Sequence, residues 1–114
     1  MIKIYHNPRC RKSREGLAIV ESSGKDYEII NYLKEIPSKD ELRKVIEYLT
    51  LRPEQLVRKN EAIWKEKFKG ENLSDDQIIE AMLAYPKLIE RPIVIKGNKA
   101  VIGRPPEKIL ELLN

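Results

Sequence analysis

Sulfur and imidazole are scarce in this chain of 114 residues, which has one cysteine, Cys10, and one histidine, His6. A lone thiol excludes an intrachain disulfide framework and a cysteine-rich zinc site. The same scarcity fits a reducing compartment. No apolar run is long enough to cross a bilayer and the opening residues lack a signal-peptide core, so a cytoplasmic protein with no membrane partner is expected. A dominant charge sign is also missing. Lys+Arg 22 against Asp+Glu 18 gives a net charge of +4, and acid and base interleave in 35–47 and 61–71. Nucleic-acid binders segregate a basic stripe with aromatics, so no nucleic acid is expected as partner. Linkers, repeats and low-complexity segments are absent, and one domain over 1–114 is expected.

What is present is a change of period along the chain. Met1 to Tyr5 alternates like a strand and stops at Asn7-Pro8. Leu17 and Val20 then lie one turn apart with Gly24 as a stop, and Tyr27 to Asn31 returns to strand-like residues. Strand, helix and strand within about thirty residues make a βαβ unit with parallel strands. Ser38 and Glu41 form a capping box ahead of Leu42, Val45, Ile46 and Leu49. Pro53 opens another turn, and Glu54 to Phe68 reads as a broken pair of helical pieces. Ser74 and Gln77 repeat the capping box before Ile78, Ile79, Met82 and Leu83, in a helix that ends before Pro86. Ile93–Ile95 and Ala100–Ile102 flank Lys96-Gly97-Asn98-Lys99, a hairpin signal. A last helix is expected from Pro105 to Leu113, packing Ile109, Leu110, Leu112 and Leu113 on the sheet. The order describes an α/β fold: a small mixed four-stranded sheet (βαβ, helical insertion at about 37–86, ββα) flanked by helices.

Cys10 falls where the first strand meets the first helix. Unpaired N–H groups and the positive end of the helix dipole favour thiolate there, and Arg9, Arg11 and Lys12 add positive charge. The bland alternative is a small buried hydrophobe, for which basic neighbours make a poor pocket. Ser13 either donates a hydrogen bond to the Cys10 thiolate or simply caps the first turn. His6 either acidifies the thiol as an imidazolium and moves a proton, or is a hydrogen-bonded structural residue. Arg58, Arg91 and Arg104 sit at element boundaries. Three guanidinium forks together can hold a tetrahedral oxyanion, whereas each alone reads as a surface ion-pair residue. With no second thiol, redox turnover at Cys10 requires an outside thiol.

The element order with a cysteine at the first helix resembles a thioredoxin-like fold, which implies a cis-proline at Pro92, after Arg91. The segments His6-Asn7-Pro8-Arg9-Cys10, Leu56-Val57-Arg58-Lys59-Asn60, Arg91-Pro92-Ile93-Val94 and Gly103-Arg104-Pro105 resemble the glutaredoxin-coupled arsenate reductase family, nearly end to end. The resemblance implies an oxidoreductase in which Cys10, with His6 and Ser13, attacks arsenate or a similar oxyanion held by Arg58, Arg91 and Arg104. Glutathione is then the co-substrate and glutaredoxin the protein partner, with no metal and no bound cofactor. Arg11 and Lys12 are bulkier than the family's usual residues between the cysteine and the serine. Two rival readings remain: a thiol-redox enzyme acting on glutathione-linked substrates, and an RNA polymerase-binding regulator of the same superfamily, against which Ser13 and Gly103-Arg104-Pro105 argue.

Overall fold

Alternating apolar residues make Ile2–Tyr5 the first strand, β1, and it becomes the inner partner of two others in a computed structural model that describes Met1–Asn114. Helix α1 (Arg11–Ser22) leads to β2 (Tyr27–Ile30), which pairs parallel to β1 with Ile4 opposite Ile29. On its other side β1 runs antiparallel to β3 (Ile93–Lys96), with Ile4 opposite Val94. β3 pairs antiparallel with β4 (Lys99–Ile102), so the sheet order is β2-β1-β3-β4. The β3–β4 hairpin closes through Gly97 and Asn98. Gly97 has φ 63, a conformation that glycine adopts without steric cost.

These elements form one of two compact units, Met1–Glu35 with Arg91–Asn114. Its core joins Ile2, Ile4 and Val94 of the sheet to Val20 of α1 and to Ile109 and Leu113 of the final helix. Leu17, Ile19, Tyr27, Val101 and Leu112 pack around them. The thioredoxin-like sheet and order match the expectation, but the last helix is shorter than its sequence suggests. It spans Lys108–Leu113, because residues 105–107 form tight turns in which Lys108, Ile109 and Leu110 donate to carbonyls three residues back. Leu110 is 46% exposed rather than on the sheet. One helical step of about 100° from Ile109 turns it outward.

The second unit, Ile36–Glu90, is helical apart from one short bridge. It contains α2 (Lys39–Leu49), α3 (Pro53–Leu56), α4 (Ala62–Lys67), α5 (Asp75–Ala84) and a 3₁₀ turn at Pro86–Leu88. Both capping boxes form, Ser38 with Glu41 and Ser74 with Gln77. Helix α2 buries Leu42, Val45, Ile46 and Leu49, and α5 buries Ile78, Ile79 and Met82. No helix is long and apolar enough to cross a membrane.

Candidate active site

The loop after β1 is built by its own residues. Cys10 N–H donates to the Asn7 carbonyl at 3.0 Å, and Arg9 N–H donates to Asn7 Oδ1 at 3.0 Å. Pro8 fits this turn because its φ is already set near the value required after Asn7. The turn delivers Cys10 as the N-cap of α1, where its carbonyl accepts from Arg14 N–H at 3.0 Å.

Burial pushes the Cys10 thiol pKa up, but the opposing influences win and the net shift is downward. They are the Ser13 backbone N–H, a hydrogen bond from Arg91, and the charges of Arg91 and Arg104. The Cys10 side chain makes no full capping hydrogen bond, so the Ser13 N–H acts on the sulfur as an aligned dipole. Arg104 Nη2 lies 3.4 Å from Sγ, and its Nε donates to the Arg91 carbonyl at 2.8 Å. One end of the guanidinium is therefore anchored while the other faces the sulfur.

The basic residues beside Cys10 in sequence do not supply this effect. Arg11 and Lys12 reach Glu15 at 3.2 and 3.8 Å on the exposed side of α1. The charge that matters comes from residues distant in the chain.

Ser13 is fully buried, and its hydroxyl is engaged away from the thiol. Asn7 N–H donates to Ser13 Oγ at 2.9 Å, and His6 Nδ1 lies 2.8 Å from the same oxygen. What Ser13 offers Cys10 is its backbone N–H. His6 is buried with it, and burial lowers the imidazole pKa, a shift that Arg14 reinforces and the hydrogen bond with Ser13 opposes. A neutral His6 tied to Ser13 fits the structural alternative rather than that of an imidazolium acting on the thiol.

Two glycines let the site close. A Cβ on Gly16 would stand 2.7 Å from Pro92 Cγ and 3.0 Å from Ile109 Cδ1. A Cβ on Gly103 would meet the same atoms at 2.9 and 2.8 Å. Without them neither α1 nor the segment carrying Arg104 could approach Pro92 so closely. Gly103 N–H donates to the Pro92 carbonyl at 2.9 Å, and the Arg91–Pro92 and Arg104–Pro105 bonds are both cis.

Arg58 belongs to the helical unit. Its Nη1 lies 2.7 Å from Glu90 Oε1 and its Nε 3.4 Å from Glu61 Oε2. Sequence reasoning passed over both glutamates. Two signals could have found them: Glu61 follows Arg58 by three residues, and Glu90 stands immediately before Arg91.

A cysteine of lowered pKa thus caps the first helix of a thioredoxin-like sheet and is faced by an anchored arginine. The ArsC family profile matches residues 5–112, and the chain belongs to the ArsC family. It is 42% identical to the uncharacterized protein YfgD of Escherichia coli K12 over 114 residues, covering 98% of this chain and 96% of that one. It is 42% identical to the arsenate reductase of Haemophilus influenzae over 112 residues, covering 96% and 97% respectively. The solved structure of an arsenate reductase from Vibrio cholerae superposes with a TM-score of 0.92 at 46% identity, covering 96% of this chain and 95% of that one.

Proposed function

We propose that this chain reduces arsenate to arsenite, with Cys10 as nucleophile and Arg91 and Arg104 holding the oxyanion. The observation that carries the reading is the anchored Arg104 guanidinium 3.4 Å from the Cys10 sulfur. A cation placed there favours the thiolate and attracts the anion that the thiolate attacks. The arsenate reductases of similar sequence and fold support the choice of oxyanion.

In this reaction the Cys10 sulfur displaces one arsenate oxygen, which leaves as water after protonation, and arsenic stays pentavalent. A glutathione thiolate displaces a second oxygen in the same way. A glutaredoxin thiolate then attacks the glutathione sulfur to form a mixed disulfide. The electron pair of the broken sulfur–arsenic bond remains on arsenic, which becomes trivalent. Water releases arsenite and returns the Cys10 thiol. Two outside thiols are needed because the chain holds one sulfur nucleophile of its own, Cys10.

The test is arsenate-dependent NADPH oxidation in the presence of glutathione, glutaredoxin and glutathione reductase. Activity should vanish in Cys10→Ser and fall by about 10²- to 10³-fold in Arg104→Ala. A rate no higher with the protein than without it overturns the proposal, and so does substantial turnover by Cys10→Ser.

A further inference from the structure

The last backbone bond tying the first strand to its parallel neighbour is made by His6, whose N–H donates to the Ile30 carbonyl at 2.9 Å. Four residues later the chain delivers Cys10 as the N-cap of α1. Asn7, Pro8 and Arg9 therefore decide where the sulfur stands. Pro8 has no N–H to bond with, and Arg9 is exposed. Asn7 alone of the three is buried.

Asn7 holds the turn at three points. Its N–H donates to Ser13 Oγ at 2.9 Å, its carbonyl accepts from Cys10 N–H at 3.0 Å, and its Oδ1 accepts from Arg9 N–H at 3.0 Å. The first two bonds need only a backbone, which any residue provides. The third needs an acceptor on a side chain short enough to reach the N–H two residues on. Asparagine and serine have one; alanine has none, and glutamine carries its amide one methylene too far.

The groups that act on the sulfur lie outside this turn. One is the Ser13 backbone N–H, and another is Arg104, whose Nη2 stands 3.4 Å from Sγ. A turn that slackens moves the sulfur against both, and charge-assisted contacts weaken quickly with distance and misalignment. We infer that Asn7 is a positioning residue: its Oδ1 closes the turn between β1 and α1 and so holds the Cys10 sulfur against the Ser13 N–H and the Arg104 guanidinium. Asn7 acts through Cys10 and does not touch the oxyanion. This role rests on the proposed reaction only where turnover is read; its first readout needs no arsenate.

The experiment measures the pH midpoint of Cys10 alkylation by iodoacetamide, then arsenate kcat and KM, in Asn7→Ala, Asn7→Gln and Asn7→Ser. Denaturant melts first fix a temperature at which each variant is folded, and Asn7→Gln serves if Asn7→Ala does not fold. Both should raise the midpoint by roughly half a pH unit, about a threefold loss of thiolate below the midpoint. Both should also lower kcat about tenfold or more with KM little changed, since a misplaced nucleophile costs rate more than binding. Asn7→Ser restores a short neutral acceptor and should recover most of both losses. Parental midpoint and kcat in the folded Ala and Gln variants overturn the positioning role, because a merely structural residue changes stability alone. A Ser variant as impaired as the Ala variant overturns it too, since the acceptor is then not what matters. So does a many-fold rise in arsenate KM at unchanged kcat in the Ala and Gln variants, which would place the amide on the substrate. If the parent protein does not turn over arsenate, the proposed reaction fails and the alkylation midpoints still decide the role of Asn7.

Discussion

Burial alone makes Cys10 a weaker acid, so its lowered pKa comes entirely from the donors and charges facing it. Arg104→Ala should therefore move the alkylation midpoint toward the free-thiol value of about 8.5. An unmoved midpoint would mean that the guanidinium 3.4 Å away does not tune the sulfur. On His6 burial acts in the other direction, lowering the pKa. Its folded pKa lies below the ordinary 6.5, chiefly through burial, so just below pH 6.5 the unfolded chain binds a proton that the folded chain does not. Stability is fully present above that pH and declines as the pH falls toward the lowered pKa. Denaturant melts at several pH values should show this slope, and His6→Gln should flatten it. Ser13→Ala strands the Asn7 N–H and His6 Nδ1 together and should cost about 1–3 kcal/mol in the same melts. Cys10 was legible because a strand, a turn and a helix start are local signals. The direction of the Ser13 hydroxyl was not, since it depends on which way α1 is rotated against the end of β1. Glu90 was not legible, because an ion pair spanning 32 positions is made only by folding, whereas Glu61 stands three residues from Arg58, a local spacing the sequence does contain.

Within α1, Gly16 inverts a general rule. A glycine inside a helix ordinarily weakens it, and Gly→Ala gains up to about 1 kcal/mol. Here the added methyl would stand 2.7 Å from Pro92 Cγ, so Gly16→Ala should destabilise, with Ile109→Val giving partial relief by removing the second contact at Cδ1. A melt showing Gly16→Ala more stable than the parent would mean that α1 shifts freely. Capping boxes and heptad-like spacing made α2 and α5 readable, since each signal lies within a few residues. The start of the final helix was less so. Prolines at 105 and 106 suit a helical first turn in sequence, but tight turns occupy those positions.

At the scale of the whole chain, the βαβ opening and ββα close were readable from period alone, and together they dictated the sheet. One compact unit is assembled from both ends of the chain. One sulfur nucleophile in 114 residues also sets a stoichiometric expectation. Reducing arsenate takes two electrons, and one thiol cannot supply both by forming a disulfide with itself. Protein mixed with arsenate alone should release no arsenite, and added glutathione with glutaredoxin should restore release. Arsenite formed without an added thiol would show another electron source. Finally, Arg104 lies 94 positions beyond the sulfur it faces. A nascent chain that has not yet made the β3–β4 hairpin has the Ser13 N–H beside Cys10 but lacks the guanidinium groups of Arg91 and Arg104 there. The full lowering of the Cys10 pKa is completed only with the last elements of the fold, so the pH dependence of its labelling reports how much of the population has finished folding.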